Sequence, residues 1–92
     1  VFVEVLKDVS LRLAPVDRRT VMEMLGELKG LPLLKGVRGN PPRDLEALAS
    51  LVEAVSRMAL NEPNLLELDV NPVMVLEEGH GAVAVDALII RK

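Results

Sequence analysis

The sequence predicts an α+β fold: a mainly antiparallel sheet in the order β-β-α-α-β-β, with two helices covering one face. Three observations predict it. The C-terminal part alternates apolar and polar residues around a glycine-bearing turn, the middle carries apolar residues at helical spacing, and the first residues alternate again. Residues 1–92 read as a single domain, without internal repeats or low-complexity tracts.

Val1 to Pro15 reads as two strands. Val1, Val3 and Val5 alternate with Phe2, Glu4 and Leu6, Lys7-Asp8-Val9 permits a turn, and Ser10-Leu11-Arg12-Leu13 continues the alternation. With Lys7 to Val9 as the loop, Glu4 and Arg12 fall opposite one another and pair across the ribbon. An exposed ion pair of this kind adds little stability in water. The guanidinium fork of Arg12 also suits phosphate oxygens, which makes it a candidate catalytic residue beside a transferring phosphate.

Asp17 has the character of an N-cap, with Val16 and Val21 placed as a hydrophobic staple. Val21, Met24, Leu25 and Leu28 follow at helical spacing, so the first helix runs from Asp17 to about Leu28 and Gly30 ends it. Leu31 to Pro42, interrupted by prolines and glycines, reads as irregular. Its segment Lys35-Gly36-Val37-Arg38-Gly39 sets cations between glycines: such a loop cradles phosphate or serves as a solvated connector, and the spacing of a phosphate-binding loop is absent. Pro41-Pro42 opens the second helix. Leu45, Leu48, Val52, Val55 and Ala59 form its apolar stripe, widened by Leu51 and Met58, while Arg43, Asp44, Glu46, Glu53 and Arg57 face water. Asn61 and Pro63 close it.

In Leu65 to Leu76 every even position is apolar, and Glu67, Asp69 and Asn71 stand together on the odd side. Ala82 to Ile90 is apolar except for Asp86. Glu77-Glu78-Gly79-His80-Gly81 between them predicts an antiparallel hairpin. Pairing the most apolar sides (Leu68, Val70, Met74 and Leu76 with Val83, Val85, Ala87 and Ile89) fixes the register. With Glu77 to His80 as the loop, Asn71 and Asp86 lie directly opposite, their Cβ atoms roughly 4.5–5.5 Å apart. An amide oxygen and one or two carboxylates converging there suit a hard cation such as magnesium and the phosphates it carries. A carboxylate interrupting an apolar run is costly unless paired, hydrogen-bonded or metal-bound, and structural ion pairs produce the same constellation. His80, the sole histidine, sits in the turn with no serine or cysteine placed to form a triad.

Composition narrows the function further. Half of the 92 residues are hydrophobic, yet Phe2 is the single aromatic, so the core must be aliphatic. A net charge of −3 and the lack of stacking aromatics argue against nucleic acid as a partner. No apolar run is long enough to span a membrane. The absence of cysteine excludes disulfides and thiol chemistry, and a cytoplasmic setting is the expectation. Val1 already has strand character, which reads as a segment of a longer polypeptide.

Glu67-Leu68-Asp69-Val70-Asn71-Pro72-Val73, followed by Val83-Ala84-Val85-Asp86-Ala87, resembles the end of the ATP-grasp domain in acyl-CoA synthetases that form a nucleoside diphosphate. Phe2 to Pro15 and Leu33 to Gly39 resemble the same family, so the likeness runs nearly end to end. It implies the C-terminal subdomain of an ATP-grasp domain, from an enzyme that interconverts acyl-CoA, ADP and phosphate with acid, CoA and ATP. It places Asn71 and Asp86 at the metal-liganding positions for Mg2+ on ATP or ADP. Asp69 stands where many ATP-grasp proteins carry glutamate, and its shorter side chain leaves direct ligation and ligation through water both open. Arg12 falls where a basic residue approaches the nucleotide phosphates. The partners implied are nucleotide, acyl phosphate and CoA through the parent enzyme, together with the remaining ATP-grasp and CoA-binding domains. The family's phosphorylated histidine lies in another segment, so His80 inherits no such role. The chain alone is then expected to hold half a nucleotide site and to be inactive. Two rival readings are a small ligand-binding regulatory or dimerisation module and a structural piece whose open sheet edge pairs with itself, giving a homo-oligomer, or with a partner chain.

Overall fold

A computed structural model of the chain describes residues 8–36 and 39–92. The class is α+β, as expected, with helices first and antiparallel strand pairs after them. The helices are α1 (Arg18–Gly26), α2 (Leu31–Leu34) and α3 (Leu45–Asn61). The strands are β1 (Leu65–Val70), β2 (Val73–Val75), β3 (Ala82–Ala84) and β4 (Ala87–Arg91).

The expected strands at the start fare differently from the rest. Val1 to Leu6, and with them Glu4, lie outside the described residues. Ser10 to Leu13 is not a strand. This segment is held by side chains instead: Ser10 and Arg12 bind Glu27 beyond the end of α1, while Leu11 and Leu13 stay 82% and 93% exposed. Its alternation is real, and its polar side faces a helix end. Asp8 adds a second tether, its carboxylate accepting the N–H groups of Lys29 at 2.6 Å and Gly30 at 2.9 Å.

Asp17 caps α1 as expected, accepting the Thr20 N–H at 2.8 Å. The helix stops at Gly26, short of Leu28, and Gly30 does not end it. Gly30 instead precedes α2, which accommodates Pro32 in its first turn and replaces part of the irregular stretch foreseen there. Gly36 follows with φ +97°, and a Cβ at this position would stand 2.7 Å from the Asn40 carbonyl oxygen, so only glycine fits.

Helix α3 starts at Leu45, later than the proline pair suggested, because Asp44 caps it. Its inner face is centred on Ala49 and Ser56, which are buried, and Ala59 of the expected stripe is exposed. The reason is close approach: α1 packs against α3, and the small side chain of Ala49 lets Val21 and Leu25 come near. Val16, Leu28, Leu31, Leu45, Leu48 and Val52 complete this aliphatic core. Ser56 is buried at a cost repaid by its hydroxyl, which accepts the Val16 N–H at 2.7 Å. Glu46 and Glu53 are also not simply solvated. The Arg18 guanidinium reaches Glu46, Ser50 and Glu53, spaced along one face of α3, and clamps the two helices together.

The hairpin has the expected register but not the expected continuity. β1 pairs with β4 and β2 with β3, both antiparallel, with a shift between Leu65 and Glu67. Pro72 has no N–H to donate, and the ladder is broken around Asn71-Pro72 and Val85-Asp86. The sheltered side therefore changes: Leu68 and Val70 are half-buried before the break, Val73 and Val75 after it. Met74 and Leu76, expected to share a face with Leu68 and Val70, are exposed. The cause is α3, which packs against β2 and β3 on the Val73 and Val75 side. No helix among the described residues is long and apolar enough to cross a membrane.

Candidate functional site

The site is built at the break in the hairpin. Asp69 lies opposite Leu88 and Val70 opposite Ala87 on one side of it, and Val73 opposite Ala84 on the other. Asn71 and Asp86 occupy the paired position between. The Asn71 N–H donates to the Asp86 carbonyl at 3.0 Å, and the Val85 N–H donates to the Pro72 carbonyl at 2.9 Å, so the register runs through the gap. Proline at 72 and glycines in the turn produce this local geometry: the first ends the ladder, and Gly81, at φ +92°, closes the tip where a β-carbon would be strained.

Asp69, Asn71 and Asp86 are all exposed. Among the described residues neither carboxylate takes part in an ion pair. One oxygen of Asp86 accepts the Ala87 N–H at 2.8 Å. This local bond satisfies half of the carboxylate and leaves the structural ion-pair explanation without a cation among the described residues. The described residues contain no cluster of three or more His, Cys, Asp or Glu side chains suited to a metal. An amide opposite a carboxylate is instead the sparse protein donor set that magnesium accepts, since it keeps several waters and shares phosphate oxygens.

Arg12 is not joined to these residues by any hydrogen bond or ion pair among the described groups. Its guanidinium forks onto the Glu27 carboxylate and also donates to the Leu11 carbonyl at 2.9 Å. Ser10 donates its hydroxyl proton to Glu27 at 2.6 Å. The hydrogen bond that Arg12 donates to Glu27 raises the Arg12 pKa above its ordinary value, and the bonds accepted from Arg12 and then Ser10 lower that of Glu27. Glu27 was not foreseen as the partner of Arg12, because a helix-end contact leaves no periodic trace in the chain.

Asp44 is the other residue that pattern reading misplaced. One carboxylate oxygen accepts the Ala47 N–H at 3.0 Å and caps α3. The other accepts the N–H groups of Gly79 at 3.2 Å and Gly81 at 2.9 Å in the hairpin turn. Its pKa is lowered by the Ala47 N–H first, then by that of Gly81 against the opposing effect of desolvation, with Gly79 and the nearby His80 adding to the lowering. An aspartate immediately before Leu45-Glu46-Ala47 is an N-cap signature, so the capping half of this role was available from the sequence.

Asp17 is likewise lowered, chiefly by the Thr20 N–H. For Asp17, Glu27 and Asp44 the folded pKa lies below the unfolded one, so their stabilisation is present above the ordinary carboxylate range and is lost as pH falls through the folded values. The expected result is a thermal midpoint that is flat near neutrality and falls steadily below about pH 4. A midpoint unchanged down to pH 2.5, followed by circular dichroism, would contradict it.

A family model described as ATP-grasp domain matches residues 1–90. ADP-forming acetate–CoA ligase I of Archaeoglobus fulgidus is 49% identical over 83 residues, covering 90% of this chain and 12% of that protein. The beta subunit of ADP-forming acetate–CoA ligase I from Pyrococcus furiosus is 44% identical over 90 residues, covering 98% of this chain and 38% of the subunit. The chain thus spans a minor part of these relatives. Among solved structures, dinucleotide-forming acetyl-coenzyme A synthetase 1 of Ca. Korarchaeum cryptofilum, in complex with coenzyme A and Mg-AMPPCP, superposes with a TM-score of 0.92 at 37% identity. That superposition covers 100% of this chain and 42% of the other.

Proposed function

We propose, because this chain belongs to the ATP-grasp domain family, that it supplies the acidic-hairpin half of the nucleotide site in an ADP-forming acyl-CoA synthetase. The parent reaction exchanges acyl-CoA, ADP and phosphate for acid, CoA and ATP. The observation that carries this reading is the placement of Asn71 opposite Asp86, joined through their backbones at 3.0 Å.

The chemistry Mg2+ would supply here is neutralisation of charge on the phosphate oxygens of the nucleotide. The Asn71 amide oxygen and the Asp86 carboxylate would hold the ion, with Asp69 reaching it directly or through water. Asp86 keeps one oxygen engaged by the Ala87 N–H, which orients the other. Arg12 would supply a guanidinium to phosphate oxygens by sharing or exchanging its Glu27 partner.

The remaining ATP-grasp segment and the CoA-binding domains are the partners, and the chain alone carries out no turnover. In support, much of the sheet's apolar surface is exposed among the described residues. Leu66 is 64% exposed, Val85 58% and Ile89 54%, a pattern that marks an interaction surface. Titrating the chain with Mg2+ and ATP while following backbone and side-chain amide signals tests the reading. A Mg2+-dependent shift centred on Asn71 and Asp86 is expected. A response to a small effector with no Mg2+ dependence would favour a regulatory module, and concentration-dependent dimerisation alone would favour a structural role.

A further inference from the structure

The turn that joins β2 to β3 is fastened to the start of α3 far more heavily than a surface hairpin requires. The Asp44 N–H donates to the Leu76 carbonyl at 2.8 Å and the Glu78 N–H donates to the Pro42 carbonyl at 2.9 Å, the two backbone bonds that pair Arg43 with Glu77 in an antiparallel bridge. Within the turn, Leu76 N–H donates to the Gly81 carbonyl at 3.0 Å. The Asp44 carboxylate completes the fastening by accepting from both glycines, one on each side of His80.

This fastening bears on the site because the β2–β3 ladder is short and its end at Val73 and Ala84 borders the break that holds Asn71 and Asp86. A ribbon whose tip slips by one residue turns its side chains to the opposite face; the β1–β4 ladder fixes the pairing on one side of Asn71 and Asp86, where Val70 faces Ala87, and whatever pins the tip fixes it on the other. The β2–β3 ladder covers only Val73 to Val75 against Ala82 to Ala84, and it resists slippage weakly by itself. We infer that Asp44 is a positioning residue for the nucleotide site: its carboxylate locks the hairpin tip to α3 and so holds Asn71 and Asp86 opposite one another for a divalent cation. The inference rests on the proposed magnesium role of those two residues.

The two oxygens of Asp44 have separable tasks, and substitution can divide them. In Asp44→Asn the amide oxygen still caps α3, since asparagine is as good a cap as aspartate, while the amide nitrogen confronts two N–H donors. Asp44→Ser, a second accepted cap too short to reach both glycines, guards against a folding failure specific to the first variant.

The experiment compares the 92-residue chain with both variants by two-dimensional NMR, amide hydrogen exchange and titration with Mg2+ alone. Helical circular dichroism is expected to stay at the wild-type level, and the Gly79 and Gly81 amide signals to move. The Asn71 amide is expected to exchange about 10-fold faster, and the apparent Mg2+ affinity at Asn71 and Asp86 to weaken about 5- to 10-fold as the paired arrangement becomes a smaller fraction of the ensemble. A residue that merely stabilised the helix would leave the Mg2+ response of the still-folded protein unchanged. Moved glycine signals with wild-type Asn71 exchange and wild-type Mg2+ affinity overturn the role of Asp44 alone. A wild-type chain with no Mg2+ response at Asn71 or Asp86 overturns the magnesium reading and the inference together.

Discussion

Asp86→Ala, introduced into the parent synthetase proposed for this chain, is expected to weaken Mg2+ binding by at least about 100-fold, since even residues that only orient metal ligands cost 10- to 100-fold. Nucleotide-dependent turnover should fall with it and recover partly as Mg2+ is raised. The substitution should leave the fold intact, because Asp86 is exposed and its one side-chain hydrogen bond among the described residues is to its own neighbour, Ala87. That separation makes the measurement decisive. Full turnover at low Mg2+ with an unchanged thermal midpoint would remove Asp86 from the site. Asn71→Ala is expected to act in the same direction but less strongly, since it removes a neutral donor and not a charge.

The second large effect is on stability. Leu25→Ala should destabilise the chain by about 2–5 kcal/mol, because Leu25 is only 7% exposed and packs in a core whose other fully enclosed members are Val21 and Ala49. So few buried residues among those described leave little to collapse into the cavity. A domain of this length has a total stability of about 5–14 kcal/mol, so the loss is a large fraction of it. Urea unfolding should show a lower midpoint at an unchanged slope, whereas the same truncation at exposed Leu33 should have little effect. Equal midpoints for the two variants would mean that the α1–α3 interface is not the centre of stability.

These two predictions draw on information of different origin. The pairing of Asn71 with Asp86 was legible in the chain because a hairpin leaves only one adjustable quantity, its register, and the strict two-residue alternation together with Gly79 and Gly81 sets that quantity. The Asp17 cap and the α1 face of Val21 and Leu25 were legible for the same reason, since each depends on neighbours within a turn or two. The likeness to ATP-grasp domains was equally local, carried by short ordered blocks.

What escaped pattern reading lay in contacts between distant segments. Alternation at Ser10 to Leu13 could not say that its polar side would meet Glu27. Helical spacing could not say that Ala49 and Ser56 would be buried ahead of Ala59, because α1 chooses that face by close approach. Hydrophobicity could not show Val73 and Val75 turning inward in place of Met74 and Leu76, since α3 lies against them only after the ladder breaks at Pro72.

The sequence by itself determined the class of the fold, the hairpin register and the opposition of an amide to a carboxylate, all of which follow from periodicities that short stretches of backbone impose. Tertiary structure alone decided which faces are covered, which acid holds Arg12 and that Asp44 joins helix to turn. Those outcomes depend on carboxylates meeting partners many residues away, and no local spacing encodes such a meeting.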